Sequence, residues 1–383
     1  MTNRSSLIKG GLALLLVVFV ALLPRLNIHV PGVLPGPTYT PGTMQVLAYA
    51  FLIAALALTY HLVFGLGGML SFGHALFFGA GAYGLAIILR RLLPAELPSG
   101  VGLLIAVLVT LVIAFVISVG VGALALRVTG ITFAMVTLAC AQAMNVLVRR
   151  NTGGLTGGEE GVSITSAMVP SALIGVRNSA NLYWIALTIL VVVYLASVWI
   201  ERSRVGHVAA AARENELRVR VLGLRPYTVR LFVFTAAGML AAVAGMGMVL
   251  LQSGTTPRVT SADFTLTLLV IVVLGGVGFR WGAVVGGLVY TLLDKRLSDL
   301  ASSSFIDSLP GILRIPLSEP VFILGMIFVL VVMFLPGGIA GITSRLRRGA
   351  TVTASLEDSG VTARHAVEAA DVPDTEESVH GPR

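Results

Sequence analysis

The polar residues that could do chemistry within the apolar stretches of this sequence are few. Ser71 and His74 are the polar pair of a glycine-rich stretch, and Gln142 and Asn145 lie in a later apolar run. Such side chains either line a polar passage or hydrogen-bond a neighbouring helix, and a lone histidine is more often a structural group than a ligand. No nucleophile–base set is recognisable, so we predict no catalytic residue.

Hydrolytic and metal-binding motifs are missing from the sequence. Neither Lys9 nor Lys295 follows the glycine that a GxxxxGK[ST] phosphate loop requires, and HExxH and GxSxG do not occur. The single cysteine, Cys140, lies in an apolar run and excludes an internal disulfide or a cysteine-based metal site. We predict no metal and no cofactor. No acid or base occupies the middle of an apolar run, so transport against a gradient would take its energy from another subunit.

One strongly charged segment, 201–230, stands between apolar runs that are long enough to cross a bilayer. Its mostly apolar positions recur at steps of three and four residues, which predicts one amphipathic helix over 201–226. The positions on that face are Val208, Ala212, Asn215, Val219 and Leu222.

Charge pairs and helix-end signals support this helix. Glu214 precedes Arg218 by four residues, and Glu216 precedes Arg220 by four, with the acid first in the favourable order. Gly223 suits a helix C-cap, and the proline three residues later blocks continuation. The segment is interpreted either as a docking helix for a cytoplasmic partner or as a solvated basic loop that only sets topology.

The composition is that of a membrane protein. Of 383 residues, 56% are hydrophobic and 11% are charged, whereas soluble domains carry about 25% charged residues. The net charge of +8 comes almost wholly from arginine, because Lys9 and Lys295 are the only lysines. Such a basic excess is typical of cytoplasmic loops, so we expect no binding to nucleic acid.

Hydropathy predicts an all-α polytopic membrane protein with about eight to ten transmembrane helices. The eighth and ninth candidate spans are short enough to be half-spanning segments. With the N-terminus inside the cell, the 201–230 segment and the C-terminus also fall on the cytoplasmic side, as the positive-inside rule favours. The candidate spans are roughly 7–23, 44–66, 74–90, 101–126, 131–148, 182–200, 229–251, 264–278, 282–298 and 320–336.

Two glycine-rich stretches, 65–81 and 275–287, interrupt the apolar pattern. Each contains a glycine pair, Gly67 with Gly68 and Gly275 with Gly276. The stretches are interpreted either as broken helices whose backbone lines a pathway, or as small residues that let transmembrane helices pack closely.

Five stretches together resemble the branched-chain amino-acid ABC transporter permeases, in the order and spacing of the LivM-type branch. The resemblance runs from about Met44 to Pro336. The stretches are LGGMLSFGHALFFGAG (66–81), GITFAMVTLA (130–139), LTGGEEG (155–161), GHVAAAARENELRVRVLGL (206–224) and LGGVGFRWGAVVGG (274–287).

The resemblance implies a permease subunit of an importer for branched-chain, aliphatic amino acids in the bacterial cytoplasmic membrane. An extracytoplasmic solute-binding protein would deliver the solute to a pathway between this chain and a second, homologous permease. Two cytoplasmic ATP-binding subunits would power the cycle. The residues expected to couple to those subunits are Arg213, Glu214, Asn215, Glu216 and Gly223. The expected pathway or gate comprises Gly67, Gly68, Ser71, His74, Gln142, Gly275 and Gly276.

The chain is expected to have three parts. Residues 1–43 hold a first span and an external loop rich in proline and glycine, 44–340 form the permease core with its coupling helix at 201–226, and 341–383 form a disordered acidic cytoplasmic tail. Membrane lipid surrounds the core. Two alternatives stay open: a permease of the same family for urea or short amides, and a self-contained secondary carrier or channel, which would not need a charged docking helix.

Overall fold

The computed structural model describes residues 15, 17–26, 28, 35–92, 98–165, 168–175, 178–301, 319–334 and 337–341. The predicted all-α class is confirmed, and one pair of two-residue strands accompanies the helices. The tail predicted at 341–383 lies outside the described residues except for its first position. The helices are α1 (Pro41–His61), α2 (His74–Ile87), α3 (Ser99–Ala125), α4 (Ile131–Arg150), α5 (Ser179–Arg202), α6 (Arg204–Glu214), α7 (Glu216–Val221), α8 (Pro226–Gln252), α9 (Ala262–Gly275), α10 (Arg280–Ala301) and α11 (Pro320–Phe334), and the strands are β1 (Val162–Ser163) and β2 (Gly254–Thr255).

Six of the described helices are long and apolar enough to cross a membrane, or seven spans if α9 and α10 together count as one. Those two helices, which correspond to the short eighth and ninth candidates, are bent by 118° where they meet, as in a broken span or a re-entrant loop. That each is a half-spanning segment stays a prediction. The first candidate, 7–23, lies mostly outside the described residues. The last candidate is α11, a helix of 15 residues.

Three helices form the interior of the bundle. Most residues of α1, α2 and α8 are buried, whereas α3, α4 and α5 each leave much of their surface exposed. The inner helices approach closely because glycines replace larger side chains where they cross. A Cβ at Gly81 would overlap the carbonyl group of Ala242, and one at Gly245 would overlap the carbonyl group of Phe78. Such small-residue contacts are the usual way that helices pack within membranes.

Helix α3 shows how the sequence directs an outer helix. Its buried residues are small and mostly recur every fourth position, so they form one stripe that faces the bundle. The remaining faces carry large aliphatic side chains that the structure leaves exposed, as expected of a lipid-facing surface. The buried stripe is Gly102, Ala106, Thr110, Ala114, Ser118, Gly122 and Ala125.

Helices α1, α8 and α10 connect the two ends of the molecule. The end of α1 and the starts of α8 and α10 lie at one end, which we call the elbow end because residues 203–225 turn there between α5 and α8. The start of α1 and the ends of α8 and α10 lie at the other, the far end. Since α8 has 27 residues, it spans about 40 Å between them.

At the far end, a pair of short strands and several polar side chains connect the loops between helices. Strands β1 and β2 pair antiparallel, with Val162 opposite Thr255. The side chain of Asn145 in α4 donates hydrogen bonds to Pro257 O and Thr260 Oγ1, at 3.1 and 2.8 Å. Of the two interpretations of Asn145, the structure supports the hydrogen bond to a neighbouring segment.

Candidate functional site

The elbow, residues 203–225, is not the single helix that its apolar periodicity predicted. It consists of α6 and α7, separated at Asn215, whose backbone is extended at φ −154° and ψ 102°. The prediction is wrong because the Asn215 side chain accepts a hydrogen bond from Arg218 N at 3.0 Å, starting a new helix there. Ser203 likewise caps α6 by accepting a hydrogen bond from Gly206 N at 3.1 Å.

Glu216 joins the elbow to the bundle. Its carboxylate lies 2.5 Å from Arg220 Nη2, the pair predicted from spacing, and 2.7 Å from Arg230 Nη1 in α8. Burial alone would raise the pKa of Glu216, but the hydrogen bonds and charges of Arg230 and Arg220 outweigh it and hold that pKa below its usual value of 4.5. The expected Glu214–Arg218 pair is not among the ion pairs of the described residues, because the break at Asn215 separates the two residues.

Gly223 ends α7 as predicted. Its φ of +78° suits glycine, and its N–H donates to Arg220 O at 2.9 Å. The N–H of Leu224 reaches back to Val219 O at 3.2 Å, which completes a Schellman motif. This cap turns the chain so that the next helix can begin at the following proline.

An apolar patch on the elbow was not predicted. Leu217, Val221 and Leu222 are exposed by 71%, 79% and 76% of their surfaces, although Leu222 was expected on the buried face. Ala212 and Val219 of that face are buried. The patch lies outside the apolar spans, on a charged segment. Large exposed apolar groups of this kind mark contacts with another protein or with the membrane surface.

Arg213 fastens the elbow to the first glycine break, residues 67–73, which separates α2 from the π-helical turn Leu62–Leu66 that ends α1. Its guanidinium donates to Gly65 O. Its side chain also covers Gly68, where an added Cβ would lie 2.6 Å from Arg213 Cγ. Gly68 has a φ of +65°, so both the backbone and the space at this position require glycine.

Ser71 and His74 hold the first break from inside. His74 Nε2 lies 2.9 Å from Thr59 Oγ1, and the Tyr60 hydroxyl donates to Ser71 O at 3.0 Å. Both Ser71 and His74 are fully buried. The break also docks on α4, since Phe72 N donates to a threonine hydroxyl of that helix at 3.1 Å. These contacts fit a structural role, and the assignment of Ser71 and His74 to a gate stays a prediction.

The second glycine break, residues 276–279, and the π-helical turn that leads into the first break meet at a cavity of about 380 Å³. Gly65 of that turn and Gly278 of the second break line it, together with Glu214 of the elbow. The structure therefore brings together two stretches about 200 residues apart in sequence, as well as the charged segment. This convergence lies at the elbow end.

A partly buried ion network, which the sequence did not reveal, borders the same cavity. Glu201 at the end of α5 binds Arg280 Nε at 2.9 Å, and His61 Nε2 lies 3.4 Å from the other carboxylate oxygen. The three residues come from α1, α5 and α10, so they tie three helix ends together. Each of the three residues lies near one end of an apolar run in the sequence, and this position was the only signal that could have indicated the network.

The remaining residues that were predicted to line a pathway do not line this cavity. An added Cβ at Gly67 would lie 2.7 Å from Met69 Cε, so Gly67 belongs to the turn of the first break. Gly275 is buried where α9 packs on α10, whereas Gly276, also buried and with a φ of +113°, lies against Gly337 and Ala340. Gln142 is exposed on α4. Their assignment to a pathway stays a prediction. Within the described ranges, no group of three or more His, Cys, Asp or Glu side chains is arranged to hold a metal ion.

Comparisons with known proteins agree with this arrangement. Residues 42–342 match the family described as "Branched-chain amino acid transport system / permease component". The chain is 24% identical over 338 residues to the high-affinity branched-chain amino acid transport system permease protein LivM of Escherichia coli (strain K12), which covers 81% of this chain and 73% of that protein. It is 26% identical over 281 residues to the permease protein LivH of the same strain, covering 71% and 91%. A shorter match, 27% over 146 residues, is to the autoinducer 2 import system permease protein LsrC of Yersinia enterocolitica, covering 38% of each chain.

The matched region includes both glycine breaks, the elbow and the apolar helices that hold them. Its multiple apolar helices are those of a multi-pass membrane protein, and its relatives are transport subunits. The chain belongs to the family of branched-chain amino acid transport system permease components.

Proposed function

We propose that this chain is a permease subunit of an ATP-binding-cassette importer that moves branched-chain amino acids across the bacterial cytoplasmic membrane. Two cytoplasmic subunits hydrolyse ATP, a second homologous permease completes the pathway, and an extracytoplasmic solute-binding protein delivers the solute. The names of the relatives LivM and LivH, two permease proteins of one branched-chain amino acid system, support this assignment.

One observation carries the coupling role: the elbow rests directly on the first glycine break. Arg213 donates to Gly65 O and packs on Gly68, so a push on α6 reaches the backbone between α1 and α2 without an intervening flexible segment. The Glu216–Arg230 pair carries the same push into α8. A partner that changes shape on binding and hydrolysing ATP would rock these helices between outward- and inward-open arrangements.

The exposed patch of the elbow supplies the contact for that partner. Leu217 and Val221 present apolar surface, while Glu214 and Arg218 beside them are exposed and charged. Apolar anchors with a charged rim are typical of protein–protein interfaces. A self-contained carrier would leave this combination without a purpose.

The docking role is tested with the co-expressed complex. Leu217→Asp places a charge in the apolar patch, and we expect it to reduce retention of the ATP-binding subunits by about tenfold or more. Glu214→Ala should lower solute-stimulated ATPase activity without loss of membrane insertion. Leu155→Asp and Glu160→Ala are matched controls, since both residues are exposed at the far end. Full retention and full stimulation in a variant that combines both elbow changes would contradict the docking role.

The orientation is tested separately by labelling. Glu214→Cys, in a Cys140→Ala background, should react with a membrane-impermeant maleimide in inside-out vesicles and not in intact cells. Glu160→Cys in the same background should show the opposite pattern. Labelling of the elbow from outside intact cells would place it on the wrong side for an ATP-binding partner.

The solute is tested by uptake. Cells that carry the intact gene should accumulate labelled leucine, isoleucine or valine more than cells without it, and labelled urea equally in both. Gene-dependent uptake of urea alone would instead support the short-amide alternative.

A further inference from the structure

A cavity of about 720 Å³ opens at the far end of the bundle. It lies between the start of α1, the end of α8, the start of α9 and the end of α10. Its volume falls within the roughly 300–1,000 Å³ range that is typical of small-molecule sites. It stands at the opposite end of α1, α8 and α10 from the elbow, so the coupling role does not explain it.

Helical spacing directs two rows of side chains into this cavity. Gln45, Tyr49 and Ile53 of α1 line it at four-residue steps, and so do Thr291 and Lys295 of α10. The row on α1 spans eight residue steps, so the cavity extends about 12 Å along that helix. It reaches from the exposed Gln45 to the buried Ile53.

Charges of both signs surround the cavity. Arg258 and Lys295 contribute positive charge to its lining, and Asp263 and Asp294 contribute negative charge. Arg258 and Asp294 come from different elements and line the cavity together with Tyr49 of α1. Along the described chain, neither Arg258 nor Asp263 forms an ion pair, so both keep the capacity to bind a charged group.

Thr291 gives an independent sign that the cavity receives a polar ligand. Only 2% of this residue is exposed, and its hydroxyl forms no hydrogen bond with any described residue. Thr110, at a comparable depth in α3, instead donates to Ala106 O at 2.7 Å. A buried hydroxyl without a partner costs free energy and calls for an explanation. The hydroxyls of Ser118, Thr235 and Thr255 also lack a partner among the described residues, but of these four residues Thr291 is the one that lines this cavity.

The lining also contains an apolar part. Ile53, Leu251 and Ile271 all face the cavity, and each is more than nine-tenths buried. These side chains offer a dry surface to an alkyl group, while the charged residues lie toward the helix ends.

We propose that this cavity binds a free L-amino acid with an aliphatic side chain, in its zwitterionic form. The solute carboxylate binds the Arg258 guanidinium, whose fork matches a carboxylate. The ammonium group binds Asp263, the Thr291 hydroxyl supplies one further hydrogen bond, and the alkyl chain packs on the three apolar residues. The site is then the first stop of the solute within the permease.

The balance of charges favours a zwitterion over other small solutes. Arg258 and Asp263 are both exposed, so a simple cation or anion would engage one sign of charge and leave the other to water, whereas a zwitterion engages both. Urea carries neither a charge nor an alkyl group, so it would engage neither the charged nor the apolar residues of the lining. The choice of an amino acid rests on the proposed function, whereas the mixed charge and the unpaired hydroxyl are properties of the cavity itself.

Equilibrium binding of labelled L-leucine to the full-length chain, purified with its partner permease in lipid nanodiscs, tests the proposal. Arg258→Gln and Asp263→Asn should each weaken binding by about tenfold or more, because each removes one charge-assisted hydrogen bond. Thr291→Val should weaken it by a smaller factor, and Thr291→Ser, which keeps the hydroxyl, should restore it. Glu160→Gln, an exposed acid at the same end, should bind leucine like the unaltered protein.

Competition with leucine analogues distinguishes the zwitterion from its parts. Leucinamide lacks the carboxylate, and 4-methylpentanoate lacks the ammonium group, so both should compete at least about tenfold less well than leucine. Absence of leucine binding, equal competition by both analogues, or unchanged binding in all three cavity variants would overturn the proposal. Gene-dependent leucine uptake with unchanged binding in those variants would overturn the cavity alone, whereas gene-dependent uptake of urea alone would overturn the proposed solute.

Discussion

The ion network at the elbow end and the cavity at the far end use charge in opposite ways, and the exposed Arg149–Glu159 pair of the far end lies outside that cavity. At the elbow end, Glu201 and Glu216 each lie within ion-pair distance of two basic side chains that come from different elements. At the far end, Arg258 and Asp263 line a cavity, and neither has an ion-pair partner among the described residues. Paired charges fix helix ends to each other, while charges without protein partners are available to a solute. The comparison separates a mechanical end from a binding end.

The helices between the two ends are joined by backbone contact. Gly81 and Gly245 place α2 directly against α8, and Gly287 places α10 against Ala54 of α1. Contacts of this kind leave little room for one helix to slide past another without repacking. A displacement at the elbow is therefore expected to reach the far cavity as movement of whole helices.

The largest effect should come from breaking that connection. Gly81→Val adds a branched side chain where even a Cβ would overlap the Ala242 carbonyl group, so overpacking should destabilise the fold by about 3 kcal/mol or more. We expect loss of folded protein and a lower melting temperature in detergent. Gly120→Val is the control, because a Cβ at Gly120 meets no atom within 4 Å. Equal melting temperatures for the two variants would show that the helices are not rigidly joined.

The next effect concerns the paired charges of the elbow end. Glu201→Gln removes the carboxylate between Arg280 and His61, and loss of its charge-assisted contacts should cost on the order of 2 kcal/mol. Glu159→Gln removes an acid that pairs with Arg149 in an exposed position, which should cost less than about 1 kcal/mol. Melting temperatures of the two variants provide the measurement. If Glu159→Gln were the more destabilising change, the Glu201 network would not stabilise the packing of the helix ends.

A smaller, pH-dependent effect should come from Glu216. Its pKa is lowered in the folded protein, so its stabilising contribution is present above the usual carboxyl pKa of 4.5 and is lost as the pH falls through the lower folded value. The attachment of α7 to α8 should therefore weaken only below about pH 4.5. Limited proteolysis of the elbow across pH 3–6 measures this change. Glu216→Gln should reduce the pH dependence, and an unchanged profile in that variant would assign the transition to another group.

Local signals in the sequence predicted the ends of elements better than the sites between them. The glycine cap at Gly223, the Glu216–Arg220 pair and the two glycine breaks depend on neighbours within a few residues, and the structure confirms them. The break at Asn215 was missed, because an asparagine within an apolar periodicity can continue a helix or cap a new one. Only its backbone conformation distinguishes the two.

The contacts that build the sites join distant parts of the chain, and no local pattern predicts them. His61 and Glu201 are 140 positions apart, and the far cavity combines residues from near position 42 to near position 295. Gln45, Tyr49 and Ile53 share one face of α1 because they recur at four-residue steps. Nothing in that spacing indicated which helices would lie opposite it.

The smallest effect has the opposite sign and tests the comparison most directly. Thr291→Val removes a buried hydroxyl that has no hydrogen bond to a described residue, so without solute it should leave stability unchanged or raise it by up to about 1 kcal/mol. The same change at Thr265, whose buried hydroxyl accepts a hydrogen bond from Ala75 N at 3.1 Å, should instead destabilise by about 1–2 kcal/mol. Melting temperatures measured without solute decide between them. A destabilised Thr291→Val would mean that this hydroxyl serves the fold, whereas unchanged or raised stability without solute is the result expected of a hydroxyl that is available to a ligand.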